Sequence, residues 1–502
     1  MAGGVSRRMF LTSAVSALAT TAIAEAPLTS IRPMPRDMAG RPPPRRSSVA
    51  PDIDSLIAQA NLDGQVGFVV ADARTGLVLE EREGGRTMPP ASVAKSVTAL
   101  YAFDALGQDH VFETRLVATG GISDGKVQGD LILVGSGDPT LDTNALAGMA
   151  QKLAKLGVTG ISGAFRVDGS ALPYVNSIDP GQPDHLGYNP AVSGLNLNFN
   201  RVHFQWTKGS NGYAVEMDAR SDRYRPPVRM ATMQVVDRDL PVYTYSASEG
   251  GVDAWTVAKS ALGNGGSRWL PVRRPDLYAG EVFQALARVN GVTLPKPGVQ
   301  EDAAQGAPIV VHQSESLSDI VRGMLKYSTN ITAEALGLAA SRARGLDVAD
   351  LAASGAAMSD WMRERMGADA PAFTDHSGLG DTSRVSPQDL VNMLVRTGPG
   401  GALRSHMKTV VAKDEEGQLD PEAGYAIEAK TGTLNFVSTL AGYVTAPDGN
   451  VLAFAIFTSD MERRNALTKA ERERPPGGRG WAGRSRWLQH QFINRWMTVY
   501  GA

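Results

Sequence analysis

The hydrophobic pattern predicts an α+β fold, and three stretches carry that expectation. Gln65 to Ala71 reads as a buried strand, Ala73-Arg74-Thr75-Gly76 as a turn, and Leu77 to Glu80 as the returning strand of a hairpin. Pro89-Pro90 then stops the chain. Ala91 to Leu106 is predicted as a helix, because Val93, Val97, Leu100, Tyr101 and Leu106 recur at helical spacing. At the far end Tyr425 to Thr433, Val437 to Thr445 and Leu452 to Ser459 read as three strands, the last two joined by the hairpin turn Ala446-Pro447-Asp448-Gly449-Asn450. A last helix, Arg484 to Tyr500, follows the loop Pro475-Pro476-Gly477-Gly478. Trp487, Leu488, Phe492, Trp496 and Tyr500 form its apolar face, and Arg484, Arg486 and Arg495 are assigned to its polar side. Packing on the sheet is the expectation for this helix, with a membrane-surface anchor as the alternative.

Between these ends, over about 114–309, the chain shows short β-like runs such as Asp130 to Val134, Val202 to Trp206 and Pro241 to Tyr245. One or two β-rich inserted domains are expected there. Ahead of the folded part, Arg7-Arg8 precedes an Ala-rich apolar stretch, with Ala22-Ile23-Ala24 offering a cleavage site. This reads as a twin-arginine signal over 1–26 and a periplasmic destination. Pro and Arg alternate over 27–50, which predicts a semi-extended linker. The expected division is therefore signal 1–26, linker 27–50, first catalytic part 51–113, insertion 114–309 and second catalytic part 310–502.

Composition narrows the chemistry. The chain has 502 residues and no cysteine, which excludes thiol catalysis, disulfides and thiolate metal sites. Its seven histidines are scattered without H-E-x-x-H spacing, which argues against a zinc hydrolase. A formal charge of −2 gives no field for nucleic acid, and no apolar run is long enough to span a bilayer. What remains is chemistry on Ser, Lys, Asp or Glu.

Ser92-Val93-Ala94-Lys95 lies in the first turn of the helix after Pro90. Three residues turn a helix by about 300° and advance it about 4.5 Å, so the amine of Lys95 reaches the hydroxyl of Ser92. The pattern alone is weak, since Ser405-His406-Met407-Lys408 matches it too. Two further motifs decide between them. Ser328-Thr329-Asn330 lies between helical segments Ser316 to Lys326 and Thr332 to Arg342, and Lys430-Thr431-Gly432 ends the first C-terminal strand. No S-x-N follows Lys408 before Lys430, which disqualifies Ser405. S-x-x-K, S-x-N and K-T-G, in that order and each on a fitting element, point to serine acyl transfer. The G-x-S-x-G match at Gly121 to Gly125 lacks a following helix and reads as a hairpin turn.

On these motifs the chain resembles the penicillin-recognising serine acyl-transferases. Among them it is similar to the class C low-molecular-mass penicillin-binding proteins of the penicillin-binding protein 4 type, which are D-alanyl-D-alanine carboxypeptidase/endopeptidases. Ser92 and Ser328 stand 236 positions apart, room for the domains that class inserts. Further family-like stretches are Gly129 to Leu141, Leu195 to Val202 and Asp375-His376-Ser377-Gly378-Leu379.

The resemblance implies an antiparallel sheet flanked by helices on both faces and an acyl-enzyme on Ser92. It makes Lys95 the base, Ser328 a proton relay to the leaving amine and Asn330 an orienting amide. Lys430, Thr431 and Thr433 would hold the terminal carboxylate, with Gly432 letting the substrate lie close. Lowering a lysine pKa by about three units costs about 4 kcal/mol, which burial and the second cation Lys430 would have to supply. β-Lactams are the implied covalent inhibitors, peptidoglycan peptides the substrate, and no metal or organic cofactor is implied. Asp184 is the candidate for contacting the peptide's free amine, and Asp138 is expected to be structural. Asp381 stands where the family usually has Arg, with Arg384 three residues on. The alternatives are a β-lactamase, although no E-x-E-L-N-like loop follows the second motif, and a β-lactam- or wall-binding protein that does not turn over.

Overall fold

Strands covered on both faces read as continuous apolar runs rather than as alternations. The central strands of the main sheet have this character. Its six strands are β1 (Gln65–Asp72), β2 (Val78–Arg82), β3 (Lys408–Val410), β4 (Ala426–Leu434), β5 (Val437–Thr445) and β6 (Val451–Ser459). They lie in the order β3-β4-β5-β6-β1-β2, all antiparallel, so the two ends of the chain build one sheet. The computed structural model describes residues 50–248, 251–302 and 304–501. The expected signal segment and nearly all of the linker lie outside the described residues.

Successive β1 side chains enter opposite cores, as the two-residue period requires. Phe68 and Val70 pack beneath the sheet against α1 (Ile53–Ala60) and α7 (Gly478–Tyr500), where Phe492 and Trp496 lie with ring centroids 4.7 and 5.7 Å from Phe68. Val69 and Ala71 face the other core. That core is built by α2 (Ala94–Leu106), α3 (Leu317–Tyr327), α4 (Asn330–Ala343), α5 (Leu351–Met366) and α6 (Pro387–Thr397). Residues Ala94 to Ala102 of α2 are all buried, which marks a helix enclosed on every side.

Between Leu106 and Leu317 the chain forms sheets around a separate core. The largest is a mixed five-stranded sheet in the order Gly298–Val299, Phe165–Asp168, Leu131–Val134, Glu113–Ala118, Ala307–Gln313. Two helices not expected from the sequence, Thr143–Lys155 and Pro275–Val289, pack in this core. Asp142 caps the first by accepting from the amide of Ala145 at 2.8 Å. Asp124-Gly125 form the hairpin turn between Ile122–Ser123 and Lys126–Val127, and Asp138 is buried, accepting from Thr140. Among the described residues no helix is long and apolar enough to cross a membrane.

The terminal helix departs from its expectation in two respects. It begins at Gly478, six residues early, behind a left-handed Gly477. Arg495, assigned to the polar side, is only 6% exposed. Its Nη2 lies 2.7 Å from Oε1 of the buried Glu80, which also accepts from Trp496 Nε1 and Tyr500 OH. The pair ties β2 to α7. Glu80→Ala should therefore lower stability by about 3–5 kcal/mol by stranding a buried guanidinium. The double replacement Glu80→Leu/Arg495→Met should recover much of that loss in the same denaturation experiment.

Candidate active site

Pro89-Pro90 delivers the chain into a short 3₁₀ turn, Ala91–Val93, that runs into α2. Ala91 holds φ at 46°, a left-handed conformation that an alanine rarely adopts and that the surroundings must enforce. Two close approaches enforce it. A Cβ at Gly378 would meet the carbonyl oxygen of Ala91 at 1.9 Å, and one at Gly432 would meet Pro90 O at 2.9 Å and Ala91 Cβ at 3.0 Å. Gly432 thus seats the Ser92 turn.

Ser92 is half-buried, and Lys95 is wholly buried one turn away. Lys95 Nζ lies 3.0 Å from Ser92 Oγ, 2.8 Å from Asn330 Oδ1 and 2.8 Å from Ser377 O. The last two atoms have no hydrogen to give, so they take two N–H groups of the amine. Only the contact with Ser92 Oγ is left for a lone pair. The amide of Asn330 is oriented by its Nδ2, which donates to Tyr188 O at 2.9 Å. Ser377 O is positioned by Glu334, whose carboxylate accepts from the amides of His376 and Ser377, each at 2.9 Å. Asp375 folds the same loop by accepting from Gly378, Gly380 and Ser383.

Burial pulls the Lys95 pKa down to about 8, against the opposing charges of Glu334 and Asp375. Burial and the neighbouring Asp375 push Glu334 upward. Burial also lowers Lys430 well below the ordinary lysine range, helped by the charges of Lys95 and Lys408. Lys430 Nζ donates to Ser328 Oγ at 3.0 Å and to Thr431 O at 2.6 Å. Ser328 ends α3 at φ 58°, so the S-x-N turn is as tightly bent as the Ser92 turn. The fold therefore brings together Ser92, Lys95, Ser328, Asn330 and Lys430, from three parts of the sequence.

A cavity of about 1010 Å³ opens on this group, lined among others by Ser92, Ser328, Asn330, Thr433, Tyr188 and Arg464. Thr431 is exposed and is not part of its wall; it contributes its carbonyl to Lys430. Asp184 is not in the wall either, and its exposed carboxylate lies 3.0 Å from Lys469 Nζ. Asp381 pairs with Arg464 and Arg472, while Arg384 turns its Nη1 to the Asp381 carbonyl. The rival Ser405 bonds Ala402 O and His406, and Lys408 is exposed. Glu334, Tyr188 and Arg464 were missed in the sequence. Nothing local marks them, since each acts through a contact more than 40 residues away.

Residues 49–474 match the model of the D-Ala-D-Ala carboxypeptidase 3 (S13) family. The chain belongs to this family. It is 29% identical over 481 residues to the D-alanyl-D-alanine carboxypeptidase of Actinomadura sp. (strain R39), covering 88% of this chain and 86% of that one. It is 26% identical over 462 residues to the D-alanyl-D-alanine carboxypeptidase DacB of Haemophilus influenzae, covering 84% and 92%. The crystal structure of penicillin binding protein 4 (dacB) from Haemophilus influenzae superposes with a TM-score of 0.72 at 22% identity, covering 89% of this chain and 99% of that one. The α+β fold expected for the family is the fold observed.

The two glycines against the Ser92 turn give a direct check on this packing. Gly378→Ala and Gly432→Ala should each cost about 1–3 kcal/mol of stability. A crystal structure of either variant should show the Ala91–Val93 turn displaced, and an undisplaced turn would contradict the account of Ala91.

Proposed function

We propose that this chain is a serine-type D-Ala-D-Ala carboxypeptidase/endopeptidase that acts on peptidoglycan stem peptides through an acyl-enzyme on Ser92. β-Lactams are proposed to acylate the same hydroxyl. The observation that carries the reading is the geometry of Lys95, whose one contact able to surrender a proton among the described residues is Ser92 Oγ, at 3.0 Å. With a pKa of about 8, about one Lys95 in ten is neutral at pH 7, against about one in three thousand for an unperturbed lysine.

Lys95 takes the hydroxyl proton as Ser92 Oγ attacks the carbonyl between the last two D-alanines. The developing oxyanion is received by the backbone N–H groups of Ser92 and Thr433, at roughly 3 kcal/mol per donor. The C–N bond then breaks as Ser328, bonded to Lys430, relays to the departing amine the proton that Lys95 took, leaving Ser328 a neutral hydroxyl and Lys95 a neutral amine. Water cleaves the resulting ester and restores Ser92. β3 pairs with β4 only over Ile427 to Ala429, so the strand edge from Lys430 onward is left unpaired by β3 and open to an extended peptide. The charge of Lys430 and the hydroxyl of Thr433 then meet the terminal carboxylate.

The motif around Arg7-Arg8 supports export by the twin-arginine route to the periplasm, with cell-wall peptides as the setting. The separate core between Leu106 and Leu317 supports reading that stretch as an inserted domain.

Labelled penicillin should leave one adduct, on the tryptic peptide Thr87 to Lys95, that Ser92→Ala abolishes together with D-alanine release. An adduct elsewhere sinks the reading, and β-lactam hydrolysis without D-alanine release replaces it with a β-lactamase. Lys95→Met should slow acylation by about 10²–10⁴. Because the neutral amine is the reactive form, the acylation rate should climb as pH rises through about 8. Glu334→Gln removes a charge that raises the Lys95 pKa, so the climb should move to lower pH.

A further inference from the structure

His376 precedes the residue whose carbonyl takes an N–H of Lys95, and no step of the proposed reaction uses its ring. The ring is fully buried, and burial pulls its pKa down to about 3, so it is neutral near pH 7. A leucine would fill such a position without desolvating two ring nitrogens. Here the ring instead ends a buried polar line. Its Nε2 lies 2.7 Å from Ser354 Oγ, which lies 2.7 Å from Ser341 Oγ, which lies 2.9 Å from Tyr101 OH. Nδ1 faces the sulfur of Met358 at 3.4 Å. A thioether only accepts, so this pairing puts the ring hydrogen on Nδ1 and leaves Nε2 to accept. Donation then runs one way, from Tyr101 through Ser341 and Ser354 to the ring. The other acceptor near Ser354 Oγ, Gly337 O, is farther away at 3.3 Å.

The helix against the ring is shaped to receive it. Asn330, Glu334, Gly337 and Ser341 recur at helical spacing and share one face of α4. Asn330 meets Lys95, Glu334 takes the amides of His376 and Ser377, and Ser341 belongs to the polar line. Gly337 is the gap among them, where a Cβ would lie 2.1 Å from His376 Cγ. From the other side α2 holds the peptide that joins His376 to Ser377, with Thr98 Oγ1 donating to His376 O at 2.6 Å. Tyr101, one turn farther along α2, lies nearly parallel to the ring, at 11° and with centroids 6.2 Å apart. A buried polar network satisfied in this way holds one arrangement of its members.

We propose that His376 is a positioning residue for acyl transfer: seated on Gly337 and accepting from Ser354, its ring fixes the loop so that Ser377 O stays on Lys95 Nζ. The inference rests on the acyl-transfer reading and deepens it, since the proposed role of Lys95 requires its other contacts to occupy its N–H groups. The ring exchanges no proton with Lys95, because the polar line ends at Met358. It acts as an uncharged strut.

With labelled penicillin as the probe, titration counts the sites that acylate, and stopped-flow mixing gives the rate constant per site and the affinity of the preceding complex. His376→Leu should leave that affinity within about twofold of wild type and lower the rate constant about tenfold or more. A loss of stability alone would lower the number of sites and leave the rate constant per site unchanged. His376→Gln, whose amide oxygen can accept from Ser354, should recover the rate constant to within about threefold of wild type. Gly337→Ala crowds the ring, removes no polar group and should act as His376→Leu does. Should both of these fail to fold, Ser354→Ala decides, because it removes the donor to the ring and should lower the rate constant about fivefold. An unchanged rate constant per site in the variants that fold overturns the role of His376 and leaves acylation of Ser92 standing. So does a loss in His376→Gln as large as in His376→Leu, which makes the ring a filler of space. A wild-type chain that penicillin does not label at Ser92 overturns the acyl-transfer reading and this role with it.

Discussion

A single amine, buried beside a hydroxyl and facing two pure acceptors, is the constraint on which the rest of the molecule depends. Holding Lys95 Nζ within 3.0 Å of Ser92 Oγ takes a helix with no exposed face through its first nine residues, since any water at the amine would favour its charged form. It also takes a turn bent through a left-handed alanine, and two neighbours without side chains to let a loop and a strand close over it. Core packing and catalytic geometry are here the same set of contacts.

The carboxylates near Lys95 are placed with equal restraint. Glu334 and Asp375 act on the amine electrostatically, yet neither forms an ion pair with it among the described residues, because each is occupied with backbone amides. A carboxylate in direct contact would hold the proton on the amine and silence it as a base. Kept one layer back, the same charges ease the burial of Lys95 while leaving its lone pair toward Ser92.

What was legible in the sequence was what short-range geometry determines. The Ser92–Lys95 pair follows from helical spacing, and β4, β5 and β6 follow from their apolar runs and hairpin turn. What was not legible depends on residues far apart in the chain. Arg495 looked like a surface residue because Glu80, its partner, is 415 positions away. Nothing near Asp184 in sequence announces its contact with Lys469. Helix Thr143–Lys155 was hidden among strands although Leu146, Met149, Ala150 and Leu153 are spaced for one buried face, so there a periodic signal was present and was outweighed by its surroundings.

The stretch between Leu106 and Leu317 also reaches this site. Tyr188 gives its carbonyl to Asn330 Nδ2, which fixes the amide so that oxygen, not nitrogen, faces Lys95. A reversed amide would offer a donor to the amine and demand its lone pair, which the proposed role of Lys95 as a base toward Ser92 requires. The loop bearing Tyr188 is in turn fastened to the segment after β6: Asp184 meets Lys469, and His185 meets Glu473 at 2.8 Å. The orientation of one amide thus ties the loop bearing Tyr188 to the segment after β6. A chain that kept all three motifs but lost the loop bearing Tyr188 would keep the residues of the site without the contact that orients Asn330.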